Sequence, residues 1–281
     1  GLLYVPQTGD WADEYIQSGY VLYDQLLYLQ TLRTLCEIRH CMHGSADQAL
    51  KEKKSRLKRL IQANFWLEQS GDIPNDVYHE VLYKKGRQAA ENCRCRHWMS
   101  FFNPHGYGYR FDAFANILVS LLGVTDDDKR QRVDRFIAES LGHEETTLIP
   151  AFYPVIKPID ADWQDLQTTF SYTFKNHPHE YHNGGRWPML SGFYAADMAR
   201  RGQVEQARRY LGDVHKANAM EMGGEPWGFP EYIHGRDLTP GGQQYQGWSA
   251  AGALIGHYAI QGRALFGIDE KGGDSGAAGR P

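Results

Sequence analysis

Trp187-Pro-Met-Leu-Ser-Gly-Phe-Tyr-Ala-Ala-Asp-Met-Ala-Arg-Arg201, then Gly202, then Gln203-Val-Glu-Gln-Ala-Arg-Arg-Tyr-Leu-Gly-Asp-Val-His-Lys-Ala-Asn-Ala-Met-Glu-Met222 decides the fold class. The first segment reads as a helix that Gly202 closes, since glycine accepts the left-handed conformation that ends helices. The second reads as its antiparallel partner after a turn of one or two residues. Helix, loop, helix recurs along the chain. Helices are predicted over Tyr20–Met42, 45–69, Asp76–Cys93, Phe111–Gly123, Asp126–Leu141 and Tyr245–Phe266, with a helical turn over Asp162–Phe170.

In the first of these, Leu22, Leu26, Leu29, Leu32 and Cys36 recur at three- and four-residue intervals, and Tyr20, Tyr23 and Leu27 make the other face apolar too. That pattern predicts a helix packed on all sides. The second can be capped by Ser45 and carries Lys51, Lys53, Lys54, Arg56, Lys58 and Arg59 along a solvated face. Residues 97–111, with Trp98, Met99, Phe101 and Phe102 followed by alternating glycines, predict a short strand or extended loop. No strong alternating strand pattern appears between the helices. The expected class is all-α, a toroid of helical hairpins with its loops gathered at one end. About eight helices are read, where a closed six-hairpin barrel needs twelve.

The chain has 281 residues, 42% hydrophobic and 23% charged, an ordinary globular balance. Net charge is −4, which offers no basic field for nucleic acid or an anionic membrane. No run of about 18 apolar residues is present, so no membrane span is expected. The four cysteines, Cys36, Cys41, Cys93 and Cys95, fit no common zinc spacing. They are expected as reduced thiols in a cytoplasmic protein. No cofactor or metal is called for, and self-association is left open.

The loops carry the chemistry. Glu225-Pro-Trp-Gly-Phe-Pro-Glu231-Tyr-Ile-His-Gly235 sets one carboxylate among Trp227, Phe229 and Tyr232, stiffened by Pro226 and Pro230. The acidic-aromatic segment Gly9-Asp10-Trp11-Ala12-Asp13-Glu14-Tyr15 offers a partner in Asp13, with Asp10 beside it. Hydrolysis of a glycosidic bond needs such a pair: one acid protonates the leaving oxygen, and one carboxylate activates water or attacks the sugar. Tyr181-His-Asn-Gly-Gly-Arg-Trp-Pro188 holds groups suited to sugar hydroxyls in His182 and Asn183, and a stacking face in Trp187. The spacing of His177, His179 and His182 matches no standard metal site.

Tyr181-His-Asn-Gly-Gly-x-Trp-Pro188, Pro230-Glu231-Tyr232 and Tyr245-Gln246-x-Trp248-Ser249-x-Ala251-Gly252 resemble, in order and spacing, the neutral/alkaline invertases of glycoside hydrolase family 100. Arg110-Phe111-x-Ala113-x-x-Asn116 resembles that family too, as does the loop ending at Asp13 and the helix running to Leu32-Arg33. The resemblance covers most of residues 9–262. It implies an (α/α)6 barrel over residues 1–267, here without its N-terminal hairpins; the Gly-rich composition beyond it predicts a disordered tail at 268–281. It further implies inverting hydrolysis of a small α-glycoside, sucrose-like, with Asp13 as general acid and Glu231 as general base. Trp11, Arg110, His182, Asn183, Trp187, Gln246 and Trp248 would shape the sugar site. The chain departs from the family at Glu14 and Tyr15, and at Gln243 and Gln244, where the family carries basic residues. The alternatives are an α-glucosidase or debranching-type six-hairpin hydrolase, a sugar epimerase, or a non-catalytic carbohydrate-binding protein.

Overall fold

The computed structural model describes residues 1–44, 47–68 and 70–263. In chain order they form β1 (Tyr20–Val21), α1 (Leu22–His43), α2 (Gln48–Phe65), α3 (Glu80–Asn92), β2 (Phe101–Asn103), β3 (Gly106–Gly108), β4 (Phe111–Asp112), α4 (Ala113–Leu121) and α5 (Asp127–Ser140). Then follow β5 (Phe152–Tyr153), α6 (Trp163–Gln167), α7 (Pro188–Arg200), α8 (Val204–Asn218), β6 (Tyr232–Ile233), β7 (Pro240–Gly241) and α9 (Gly247–Ile260). The chain forms two compact units. Among the described residues, the first comprises Gly1–Val119, Val124–Phe136 and Pro158–Phe174, and the second Ser120–Gly123, Ile137–Lys157 and residues 175–263.

Every predicted helix is present, and the ends shift for local reasons. α1 starts at Leu22 because Tyr20 and Val21 pair with Phe102 and Phe101 of β2 instead. α2 is capped by Asp47, whose carboxylate accepts the Leu50 N–H at 3.1 Å; the expected cap, Ser45, lies outside the described residues. α4 starts after Asp112, whose side chain accepts the Ala115 N–H at 3.1 Å. That cap requires extended backbone at Phe111–Asp112, which periodicity alone reads as helix. α9 ends at Ile260, and the tail expected from 268 lies outside the described residues.

In the first unit, the extended stretch 97–111 is a hairpin, β2–β3, with β1 added to its edge. Its turn is held by the Asn103 side chain, which accepts the His105 N–H at 2.9 Å. Phe102 is fully buried, with Phe65 at 5.2 Å and Tyr20 at 4.9 Å between ring centroids. The expectation that α1 is packed all round fails: one stripe of its first half is buried, while Leu27 on the other face is 41% exposed. Leu22, Leu26, Leu29 and Leu32 are buried, but Ile38 is 49% and Met42 70% exposed. A two-sided apolar pattern shows that a helix can bury both faces; it does not show that a neighbour reaches the far end.

In the second unit, α7 packs on both α8 and α9. The hairpin read from sequence is α7 and α8, with Gly202 at φ +77° between them. α7 and α9 approach so closely that a Cβ on Gly192 would lie under 3.0 Å from the backbone of Gly252. The obstacle is backbone, which cannot swing away. Gly192→Val is therefore expected to destabilise the chain by about 3 kcal/mol. Urea unfolding reads this, and a wild-type midpoint would contradict the close approach.

The four cysteines are free thiols. No helix among the described residues is long and apolar enough to cross a membrane, and no group of three or more His, Cys, Asp or Glu among them is placed to hold a metal ion.

Candidate active site

Glu231 sits in the second unit on a frame that the sequence only partly announces. Backbone bonds tie residues 228–231 to residues 243–246. The Tyr245 N–H donates to the Gly228 carbonyl at 2.7 Å, Gln246 to Phe229 at 2.9 Å and Glu231 to Gln243 at 3.0 Å. The Glu231 carboxylate accepts the Gln243 N–H at 3.0 Å. The Ser249 hydroxyl, fully buried on α9, donates to the Pro230 carbonyl at 2.8 Å. Trp227, Phe229 and Tyr245 adopt left-handed backbone at φ +57°, +43° and +57°. Each costs roughly 1–2 kcal/mol for a residue with a Cβ. The ladder of backbone bonds offsets that cost and fixes the loop.

Gly242 completes the frame at φ +74°. A Cβ there would fall under 3.0 Å from the Glu231 side chain, so the chain can cross the carboxylate only as glycine. The Tyr232 hydroxyl is pushed up to about 12 by burial, then by the charges of Glu180 and Glu231.

Behind this frame lies a ladder of rings. The His182 ring stacks on Trp187 at 4.9 Å and 12°, and Trp187 faces Tyr232 and Trp248, each at 6.4 Å. Trp187 is 3% exposed and donates its indole N–H to the Tyr181 carbonyl at 3.1 Å. The exposed ring of the ladder is Trp248, at 46%. Asn183 is fully buried, and its amide donates to the carbonyls of Ile156 at 2.8 Å and Asn176 at 3.0 Å. Both N–H donors are thus spent on the loop, which gives Asn183 a part in shaping the wall rather than a free donor for a sugar. The Gln246 side chain caps α9 by accepting the Gly247 N–H at 3.1 Å.

Arg186 pins these loops together. It is 6% exposed and donates to the carbonyls of Gly235 at 3.0 Å, Leu141 at 3.2 Å and Leu148. Burial pulls its guanidinium down to about 10. Arg186→Met leaves these buried carbonyls without their donors, so a loss of about 3 kcal/mol is expected. Thermal unfolding measures it, and an unchanged melting temperature would show that the carbonyls find other partners.

Asp13 belongs to the first unit. Its loop is closed by a bridge in which Val5 and Gly19 exchange backbone bonds at 2.7 and 2.8 Å. Ala12, Glu14 and Tyr15 are buried while Asp13 is exposed. The family departures at Glu14 and Tyr15 are thus core-facing, and the Glu14 carbonyl accepts the Thr169 hydroxyl at 2.8 Å. Trp11 donates its indole N–H to Asp112 at 3.3 Å and packs edge-on to Phe114 at 5.5 Å. Arg110, 22% exposed, is ion-paired with Asp162. The structure therefore gathers Trp11 and Arg110 with Asp13 in one unit, and His182, Asn183, Trp187, Gln246 and Trp248 with Glu231 in the other.

The fold is that of the six-hairpin glycosidases, of which this chain spans part. The GH63 mannosylglycerate hydrolase from Thermus thermophilus superposes with a TM-score of 0.52 at 15% identity, over 87% of this chain and 46% of that one. The same enzyme solved with glucose gives the same score over 88% and 49%. Within that class the chain belongs to the alkaline and neutral invertase family, whose model matches residues 94–262. It is 32% identical to probable alkaline/neutral invertase D of Arabidopsis thaliana, over 89% of this chain and 49% of that protein. It is 22% identical to cytosolic invertase 1 of Oryza sativa subsp. japonica, over 89% and 46%. The chain spans about half the length of the curated relatives it matches.

Proposed function

We propose that this chain supplies the acid and the base of an inverting, exo-acting hydrolase of a small α-glycoside, with a sucrose-like sugar as the leading substrate. Asp13 protonates the glycosidic oxygen as the bond breaks. Glu231 takes a proton from a water that attacks the anomeric carbon from the opposite face. The products are two free sugars, and the proton gained by Glu231 balances the one lost by Asp13. In the second unit Trp248 gives a stacking face with Gln246 beside it, and His182, Trp187 and Asn183 form the wall behind; in the first, Trp11 and Arg110 serve the Asp13 loop.

The observation that carries this reading is the hold on Glu231. A backbone ladder, one N–H donor and an obligatory glycine fix a single carboxylate beside Tyr232 and the ring ladder. A base that must orient a water gains most from such pre-organisation. Membership of the invertase family supports the substrate class, and the rice relative's name supports a cytoplasmic setting, although other relatives are named chloroplastic. A hydrolase acting on another small glycoside is the second reading, favoured by the mannosylglycerate hydrolase fold likeness. A screen of sucrose, trehalose, maltose and isomaltose for release of free sugar tests the proposal. Release from sucrose is expected; interconversion of free sugars without hydrolysis would contradict it.

A further inference from the structure

The loop that leads into Glu231 is a tight ribbon, and it carries a ring that the fold does not need. Residues 218–222 turn back on residues 225–229 through Gly223 and Gly224, at φ +59° and +83°. Met222 and Glu225 exchange backbone bonds at 3.1 and 3.0 Å across that turn. Two left-handed residues in succession close such a ribbon, and glycine takes that conformation without strain. Further along, the Gly228 N–H donates to the Met220 carbonyl at 2.9 Å and Phe229 to Asn218 at 3.1 Å. A Cβ on Gly228 would lie under 3.0 Å from the Met222 side chain and the Met220 carbonyl, so the two arms meet only with glycine there. The Gln244 side-chain amide donates to the Met222 carbonyl at 2.8 Å and ties the turn to the segment that supports Glu231.

Trp227 sits in this ribbon at φ +57° and is 52% exposed. Glycine or asparagine would hold that backbone with less strain, and an indole half in water returns little by burial. Its ring lies 6.0 Å from that of Phe229, at 35° between planes, so the two rings share one side of the ribbon. Two aromatics on a closed ribbon present a flat apolar surface whose position is set before any ligand arrives. Trp227 is four residues from Glu231, and four residues span at most about 14 Å. A sugar ring joined to the one whose bond is cut falls within that reach. Trp227 lies outside the runs that resemble the invertases and outside the ladder of His182, Trp187 and Trp248.

The chemistry of the ribbon narrows what the surface takes. An indole offers an apolar plane edged by one N–H donor, which suits the C–H face and the hydroxyls of a sugar ring. Glu221 and Glu225, both exposed, put negative charge on the same ribbon. They accept from hydroxyls and repel an anion.

We propose that Trp227, backed by Phe229, is the stacking platform for the leaving group, and that this group is a neutral sugar ring. The proposal rests on the reading of Glu231 as the base. On it the substrates are disaccharides and not glycosides of glycerate, whose open chain has no face to stack and whose carboxylate is repelled by Glu221 and Glu225. Trp227 determines specificity and takes no part in bond cleavage.

The test uses 15N-tryptophan-labelled Glu231→Gln, which holds substrate without turning it over, with the Trp227 indole assigned by its loss in Trp227→Phe. Sucrose is expected to move the Trp227 resonance saturably, and α-glucosyl glycerol, whose leaving group is an open chain, to move it less. In steady state, Trp227→Gly removes the ring and suits the left-handed backbone. It is expected to raise KM for sucrose about tenfold with a smaller change in kcat, because the platform binds ground and transition states alike. The rise for α-glucosyl glycerol is expected to be smaller. Trp227→Tyr restores a stacking face and should recover most of the loss. A ring that served only the fold would lower the urea midpoint in Trp227→Gly and change KM equally for both substrates, and that result overturns the platform. So does a Trp227 resonance that none of sucrose, trehalose, maltose and isomaltose moves; release of free sugar by the wild-type chain in that case leaves the role of Glu231 intact. A resonance that moves with a disaccharide in a chain that releases no free sugar leaves the platform standing and removes the assignment of Glu231.

Discussion

Glu231→Gln is expected to lower kcat for the cleaved glycoside by about 10³-fold with little change in KM. The amide keeps the shape of the side chain and an oxygen to accept the Gln243 N–H, so the frame survives. It cannot take a proton from water. The loss then falls on the transition state, where the base acts, and ground-state binding is spared. Asp13→Asn should lose as much on substrates with poor leaving groups, because the leaving oxygen must be protonated as the bond breaks. Aryl glycosides with acidic leaving groups need that proton less, so Asp13→Asn should cut them faster than it cuts sucrose while Glu231→Gln should not. Equal losses on both substrate types would remove the distinction between acid and base. Steady-state kinetics on the two substrate types decides it.

Gly242→Ala is expected to lower kcat by about 10²-fold. The added methyl would meet the Glu231 side chain under 3.0 Å, and the position requires φ +74°. Either the loop moves or the carboxylate does, and a small displacement of a base is enough to cost two orders of magnitude. The substitution should act only through Glu231. In a Glu231→Gln background Gly242→Ala should add almost nothing, a coupling that a double-mutant cycle measures. Additive losses would mean that Gly242 serves the fold and not the carboxylate.

Much of the fold was legible because helices announce themselves over many residues. The α7–α8 hairpin and the stripe of α4 follow from apolar spacing, and Gly202 marks a turn by its own chemistry. What was not legible was decided by partners far along the chain. Tyr20–Val21 leaves the helix because β2 is there to pair with it. Phe111–Asp112 leaves it because Asp112 caps α4 and receives the Trp11 indole. The exposed end of α1 carries the same apolar residues as a buried helix, so only neighbours distinguish the two.

The site follows the same division. Glu231 stood out as a carboxylate in an aromatic, proline-flanked loop. Its real support comes from Gln243 and Gly242, and no local pattern links residue 231 to residues eleven and twelve positions on. Trp187 and Asn183 were read as sugar contacts because their side chains could serve, and burial gives them other partners. Asp112 drew no attention as a charged residue beside an apolar stripe. Only its burial and the indole that it holds reveal its place beneath the Asp13 loop.

The most direct measurement is the anomeric configuration of the sugar first released, followed by NMR before mutarotation. With Glu231 as the base that activates water and not a nucleophile on the sugar, an α-glycoside must yield the β-anomer first. Early appearance of the α-anomer would mean retention through a covalent intermediate and would contradict the role given to Glu231.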